Sequence, residues 1–198
     1  GAYLAIWQEN FKRMLAYSSV SSMGLFVLGF SLGTETGFAG GLFYVLADTL
    51  MKAALFGVAG AAVYQCDANT VADFVRLRRN MPWVSIALLV SALSMVGIPP
   101  TAGFFGKWYL VVGALEAEKY FAVATILITS MLTALYFFRM FQHMWAEEPL
   151  PLTEPRVLET PFPIRMSLGI LTFGIMALGL GSDFVVGLIF ESVIPEGF

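Results

Sequence analysis

The sequence predicts an all-α membrane protein, a polytopic bundle of transmembrane helices, and three observations lead to this class. Of 198 residues, 58% are apolar by type and only 13% are charged, whereas soluble domains carry about 25% charged residues. Five apolar stretches are long enough to cross a bilayer as helices. The 18 Phe and 4 Trp residues require a buried or lipid environment, which excludes intrinsic disorder.

Residue counts also exclude several kinds of site. One Cys and one His cannot form a disulfide framework, an iron–sulfur cluster or a bis-histidine haem. A net charge of −3 provides no basic surface for nucleic acid. We therefore expect no metal, no cofactor and no catalytic redox centre in this chain. Any redox chemistry would lie in partner proteins, and whether this chain is part of an enzyme stays open.

Apolar runs and the breakers between them predict a single transmembrane domain, 1–198. About eight apolar residues precede the first polar stretch, so 1–8 is expected to be a helix remnant that does not span. The complete spans are expected over about 15–32, 38–64, 81–115, 120–144 and 164–194. Because the chain starts at Gly1, without Met and without a basic leader, we expect it to be part of a longer protein.

The third and fifth spans, 81–115 and 164–194, are longer than one crossing needs, whereas the other three have ordinary lengths. Between the fourth and fifth spans, the sequence from Trp145 to Pro163 is rich in Pro and Glu. This composition predicts a surface loop rather than a separate domain.

The excess length of the third span has a visible cause, a predicted helix break at Gly97, Pro99, Pro100 and Gly103. Two consecutive prolines remove two backbone donors and push the preceding residue out of helical geometry. Glycines lower the cost of a non-helical crossing. At membrane depth, freed backbone groups must be buried in protein or face a hydrated cavity.

Charged side chains inside spans are functional candidates, because a lysine at the bilayer centre costs about 2.5–3.5 kcal/mol. Lys52 lies in the middle of its span, and Asp48 shares its helix face one turn earlier. Lys107 follows the predicted break by about one turn, an arrangement used in ion pathways. Asp48, Lys52 and Lys107 are therefore the predicted proton-translocation residues. The alternatives are an internal Asp48–Lys52 ion pair and a simple kink with a snorkelling Lys107.

Arg139 and His143 lie one turn apart near the end of the fourth span. An interfacial anchor among Phe138, Phe141 and Trp145 explains both residues. The second interpretation is a proton entry or exit point, for which a histidine is suited.

Two further polar groups allow two interpretations each. Asp183 follows a Gly-rich stretch and marks either a local unwinding of the last span or its outer interface. Serines of the first span either hydrate a helix entrance or return hydrogen bonds to their own helix. These serines are Ser18, Ser19, Ser21 and Ser22.

Basic residues orient the spans, because cytoplasmic connections carry an excess of Lys and Arg. The residues expected on that side are Lys12, Arg13, Arg76, Arg78, Arg79, Arg156 and Arg165. The opposite connections carry Lys119 as their one cation, together with Glu35, Glu116, Glu118 and Glu196. We expect an integral protein of a bacterial or archaeal inner membrane, with cytoplasmic basic loops and an outside C-terminus.

Three stretches resemble one family: 11–21 (FKRMLAYSSVS), 50–56 (LMKAALF) and 96–108 (VGIPPTAGFFGKW). Their order and spacing are similar to those of the antiporter-like subunits of respiratory complex I, membrane-bound hydrogenases and Mrp-type multisubunit cation/proton antiporters. The resemblance implies a fourteen-helix fold with two inverted repeats, of which this chain would form most of the second repeat and the terminal helix. The other ion half-channel would lie in the missing N-terminal part.

The resemblance also implies residue roles. Lys107 matches the charged residue of the second broken helix, and Lys52 matches a central-axis lysine. Many members have a histidine where Asp48 stands, so this position departs from the family pattern. Protons would pass along a hydrated axis through Asp48 and Lys52 to Lys107.

The Phe-Phe-Gly-Lys-Trp stretch most resembles the D-type member of the Mrp antiporters, which implies a proton-translocating component of a Na⁺/H⁺ antiporter. The alternative is a proton-pumping subunit of complex I (NADH:quinone oxidoreductase) or a related membrane-bound hydrogenase. A hypothesis of another class is a non-conducting structural module, in which Asp48 and Lys52 are paired and dry. A third hypothesis is that this chain contacts quinone directly. The implied partners are other membrane subunits, the lipid bilayer, protons and Na⁺.

Overall fold

The computed structural model describes residues 1–66, 68–71, 73, 74, 77, 80–145 and 161–193, and these residues are nearly all helical. Their helices are α1 (Ala2–Ile6), α2 (Phe11–Ser31), α3 (Glu35–Cys66), α4 (Pro82–Val96), α5 (Ala102–Glu116), α6 (Tyr120–Trp145), α7 (Phe162–Leu180) and α8 (Ser182–Val193). By length and composition α2, α3, α6 and α7 can each cross a membrane. The predicted fold class is confirmed.

The long helix α3 is the centre of the bundle. It packs against α2, α4, α5, α7 and α8. Its fully buried side chains include Phe43, Met51, Leu55 and Val58. A helix that is apolar on most of its surface is stable where neighbours cover it on several sides. Residues on α3 therefore lie deep in the bundle.

Helix α2 is packed between α3 and α6. Asn10 caps its N-terminus, because the Asn10 side chain accepts a hydrogen bond from the Arg13 backbone N–H at 3.1 Å. Its buried face includes Ser18 and Ser22 as well as apolar side chains. This packing places hydroxyl groups against the middle of α3.

The predicted break in the third span is confirmed and separates α4 from α5. Gly97 ends α4 in the left-handed conformation, with φ 95° and ψ 54°. Its backbone N–H still donates to the Leu93 carbonyl at 3.0 Å. Each half has 15 residues, which makes it about 22 Å long, so neither half alone crosses the roughly 30 Å hydrocarbon layer.

The last predicted span, over about 164–194, differs from the structure, which has two helices there within the described residues. Helix α7 ends at Leu180, and α8 begins at Ser182. Gly179 lies against the break, where a Cβ atom would overlap the Pro100 carbonyl oxygen. A side chain at position 179 would therefore not fit against the break. Asp183 belongs to the first turn of α8.

Some predictions fall outside the described residues. These are residues 146–160 of the surface loop predicted between Trp145 and Pro163, and the positions of Arg76, Arg78, Arg79, Arg156 and Glu196. The predicted orientation in the membrane remains a prediction.

Candidate functional site

The residues predicted to carry protons on α3 are bonded to serines of α2. The Ser22 hydroxyl donates to the Asp48 carboxylate at 2.7 Å. The Lys52 ammonium donates to the Ser18 hydroxyl and to the Leu15 carbonyl oxygen. Both pairs are one helical turn apart on their own helices. The two helices therefore present an acid, a base and two hydroxyls in register.

Asp48 and Lys52 are buried to a degree that is unusual for charged residues. Asp48 is 7% exposed and Lys52 is 9% exposed. Burial of charge at this depth requires compensating hydrogen bonds, and the α2 serines supply them. In the described part of the chain, hydrogen bonds join each of the two charged groups to α2 and none joins them to each other. This geometry differs from the ion pair of the alternative interpretation.

Two buried tyrosines extend this polar cluster. Tyr44, on α3, lies with its hydroxyl near Ser22. Tyr136, on α6, lies near Ser18 and Thr133. Both rings are almost fully buried. Hydroxyls from three helices therefore surround Asp48 and Lys52, and a hydroxyl can both donate and accept a proton.

Lys107 occupies the break itself. Its ammonium donates to the carbonyl oxygens of Met95 at 2.8 Å and Val96 at 3.0 Å, both in the last turn of α4. The last carbonyls of a helix lack intrahelical partners and carry partial negative charge. Lys107 therefore satisfies acceptors that the break sets free. It points into the protein, which differs from the snorkelling alternative.

Glycines allow the two halves of the broken helix to meet. A Cβ atom at Gly103 would overlap the Ser94 carbonyl oxygen. Instead the Gly103 backbone N–H donates to the Ser94 hydroxyl at 3.1 Å, which satisfies one free donor of α5. At Gly97 a Cβ atom would come within 3.3 Å of the Lys107 side chain. The turn also contains a cis peptide bond between Pro99 and Pro100.

Helix α3 joins the central cluster to the break. A Cβ atom at Gly106 would come within 2.8 Å of the Tyr44 ring, so α5 lies directly on α3 there. Asp48 interacts electrostatically with Lys52 and with Lys107. A change of charge on Asp48 therefore acts on both lysines. Within the described residues, no three His, Cys, Asp or Glu side chains come together as metal ligands do.

Other predicted candidates lie elsewhere. The Arg139 guanidinium donates to the Ile6 carbonyl oxygen at the end of α1. His143 is exposed near the end of α6. Asp183 accepts a hydrogen bond from the Tyr109 hydroxyl at 2.8 Å, which links α8 to α5. The contacts recorded for Arg139 and Asp183 are thus links between helices.

Sequence reasoning missed the two tyrosines and Ser94. Tyr44 precedes Asp48 by one turn on the same helix face, and this spacing was a readable signal. Tyr136 and Ser94 gave no comparable signal, because their partners come from other helices or across the break. For Ser18 and Ser22 the sequence left two roles open. Both hydroxyls lie within hydrogen-bond distance of carbonyls of their own helix, as the second interpretation expected. They also bond to Asp48 and Lys52, which neither interpretation included.

The chain is similar in sequence to subunits of respiratory enzymes. It is 38% identical to NADH-quinone oxidoreductase subunit N of Desulforudis audaxviator, over 98% of this chain and 41% of that protein. It is 30% identical to F(420)H(2) dehydrogenase subunit N of Methanosarcina mazei, over 98% and 41% respectively. The chain thus spans about 40% of the length of these curated relatives.

Solved structures share the fold. The Mrp complex from Dietzia sp. DQ12-45-1b contains a chain with a TM-score of 0.84 and 25% identity, over 96% of this chain and 43% of that one. Respiratory complex I from Thermus thermophilus with bound NADH contains one with a TM-score of 0.83 and 25% identity, over 96% and 40% respectively.

A family model confirms the resemblance seen in the three sequence stretches. The model described as NADH:quinone oxidoreductase/Mrp antiporter, TM, matches residues 1–133, which contain all three. That range also contains Asp48, Lys52 and Lys107. The chain therefore belongs to the NADH:quinone oxidoreductase/Mrp antiporter family of membrane proteins.

Proposed function

We propose that this chain forms part of a proton path in a translocating membrane subunit, with Asp48, Lys52 and Lys107 as the groups that bind protons. The observation that carries this proposal is the way these three buried groups are held. Each one is bonded to a hydroxyl or a carbonyl oxygen. A group held in this way can change its protonation state without breaking a buried ion pair, which would be costly.

In this proposal the serine and tyrosine hydroxyls connect Asp48 and Lys52. Hydroxyl groups rotate, so each one can accept a proton on one side and donate on the other. A change in the charge of Asp48 then affects Lys107, because the two groups interact electrostatically. When Lys107 loses its proton, its attraction to the carbonyls of Met95 and Val96 weakens. The break is thus the element that responds to charge, and Lys107 acts as its gate.

The proposal is tested with Lys107→Ala in the full-length protein within its complex. Removing the ammonium removes a proton carrier from the path, so proton uptake by inverted vesicles, followed with a pH-sensitive dye, should fall to background. The complex should still assemble, as judged on a native gel. Lys119→Ala is the matched control, because the Lys119 ammonium bonds to carbonyls of Ser31 and Leu32 at the end of α2. Normal uptake by Lys107→Ala would instead support the non-conducting structural module.

We further propose that the complex is of the NADH:quinone oxidoreductase type and that this chain is part of its subunit N. Support comes from the relatives that bear this name and that align with nearly the whole chain. The alternative, the D-type member of an Mrp antiporter, is supported by the Phe-Phe-Gly-Lys-Trp stretch and by the shared fold of the Mrp complex. Under either assignment the partners are other membrane subunits, and the basic loops are placed in the cytoplasm.

The two assignments predict different neighbours. The full-length protein is tagged in its native host, purified in mild detergent and examined by mass spectrometry of the co-purifying chains. Subunits with iron–sulfur or quinone sites support the oxidoreductase assignment. Small hydrophobic partners without redox subunits support the Mrp assignment and contradict the first.

A further inference from the structure

A groove lies between α4 and α7, away from the proposed proton path. It has a volume of about 300 Å³, and its lining is almost entirely apolar. Ile86 of α4 and Phe173 and Met176 of α7 form much of its wall. One cation, Arg165, lies at its end near the start of α7, and Trp83 lies at the corresponding end of α4.

A second groove runs along the neighbouring face of α7, with a volume of about 310 Å³. Both grooves are lined by Arg165, Gly169 and Phe173. These residues are spaced by one turn each and form a single row along the helix. Gly169 has no side chain, and a Cβ atom there would have nothing within 4 Å, so the surface has a depression in the middle of the row. The surface is therefore a pair of neighbouring apolar hollows that share this row and its arginine.

The arginine end of this surface favours an anion. Arg165 is exposed, and its guanidinium lies 5.9 Å from the centre of the Phe162 ring. The N-termini of α4 and α7 are at the same end, and helix N-termini carry partial positive charge. Trp and Arg side chains are also typical of the level of lipid headgroups. A phosphate bound there would meet a full charge and two helix dipoles.

The dimensions fit one lipid leaflet. From Arg165 to Met176 the helix rises about 16 Å, close to half of the roughly 30 Å hydrocarbon thickness. The two hollows on either side of the row offer one place for each of two acyl chains.

We propose that this surface binds one anionic phospholipid, with its phosphate at Arg165 and one acyl chain in each groove. This binding site is independent of the proton path. It assigns a role to Arg165 and Gly169, which the proposed function does not use.

The test uses the full-length protein in its complex, reconstituted in phosphatidylcholine bilayers. The probe is phosphatidylglycerol with a diazirine on an acyl chain, added as a minor fraction and activated by light. Mass spectrometry should find the label on α4 near Ile86 and on α7 between Leu168 and Met176. Excess unlabelled phosphatidylglycerol should remove the label, whereas excess phosphatidylcholine should not. Equal competition by phosphatidylcholine would overturn the proposal of an anionic site.

Two variants with matched controls test the parts of the site. Gly169→Leu fills the depression in the middle of the row, and Arg165→Gln removes the charge that holds the phosphate. Arg165→Gln should lower labelling about tenfold, because the phosphate loses a hydrogen bond from a charged group. Gly169→Leu should lower labelling as well, because the new side chain occupies the space proposed for an acyl chain. The controls are Gly187→Leu, at a helix position with equally open space, and Lys12→Gln, an exposed cation.

Assembly of every variant is checked on a native gel before labelling. Labelling of Gly169→Leu and Arg165→Gln at the level of their controls would overturn the proposal. Absence of lipid label on α4 and α7, with chemical cross-links from Phe173 to another subunit, would also overturn it, because a protein would then occupy the surface.

Discussion

Asp48 has a single neutral donor from α2, the Ser22 hydroxyl. The arrangement places a buried carboxylate beside a group that can also move a proton. Lys52 is held in the same way by Ser18, one turn earlier on the same helix. The chemistry proposed for this chain therefore depends on hydroxyls as much as on the charged groups.

Ser22→Ala should reduce proton uptake severalfold while the complex still assembles. The substitution leaves the buried Asp48 carboxylate without this donor, at a cost of about 1–3 kcal/mol. The rate is measured in inverted vesicles, and thermal unfolding reports the stability. Ser19→Ala is the control, because the Ser19 hydroxyl donates to the Leu15 carbonyl of its own helix at 3.1 Å. Equal rates for the two variants would remove Ser22 from the path.

At the level of elements, the break between α4 and α5 is closely packed. Gly103 contacts Ser94 across it, and Gly97 lies against Lys107, whose ammonium bonds to the end of α4. The close approach of α7 at Gly179 adds a third helix. Tight packing on several sides holds a backbone shape that the chain would not adopt alone.

Gly103→Ala should destabilise the assembled complex by about 3 kcal/mol or more, because the new methyl group would overlap the Ser94 carbonyl oxygen. The loss is measured as a lower yield of assembled complex and a lower unfolding temperature. Gly60→Ala provides the control at an exposed position of α3 with nothing within 4 Å of the added atom. There, stability should stay the same or rise by up to about 1 kcal/mol. Similar behaviour of both variants would contradict the close contact.

At the scale of the whole molecule, the polar groups discussed here lie either in a central cluster or at the ends of helices. The central cluster brings together α2, α3 and α6, and it connects to the break through Asp48. Links such as Arg139 to α1 and Tyr109 to Asp183 lie apart from that cluster and join helix ends. In the proposed function, groups of the first kind carry protons and groups of the second kind connect helices.

Arg139→Gln should lower the stability of the assembled complex by about 1–3 kcal/mol, because the α1 carbonyl loses a charged donor. Proton uptake per assembled complex should remain near that of the unmodified protein, and His143→Ala should behave normally in both respects. Thermal unfolding and vesicle uptake, normalised to the amount of complex, separate the two effects. A loss of uptake at constant assembly in either variant would instead favour the proton entry or exit interpretation.

The sequence alone predicted the bundle, the break and the three charged candidates, because these depend on local features. Long apolar runs, adjacent prolines and a lysine within an apolar span can be read without knowing which helices touch. The sequence did not decide between the two interpretations of the Gly-rich stretch before Asp183, and the contact of Gly179 with Pro100 exists only in the folded bundle. The partners of Lys107 could not be predicted either, because they are backbone carbonyls that no side-chain pattern indicates.

The amino-acid sequence determined which groups are charged and roughly how deep they lie. The tertiary structure decided which groups they contact: serines for Asp48 and Lys52, and the open end of α4 for Lys107. The physical reason is the distance along the chain over which each effect acts. Hydropathy and helix breaking act within one segment, whereas a hydrogen bond between α2 and α3 depends on how the two helices pack and on their relative register.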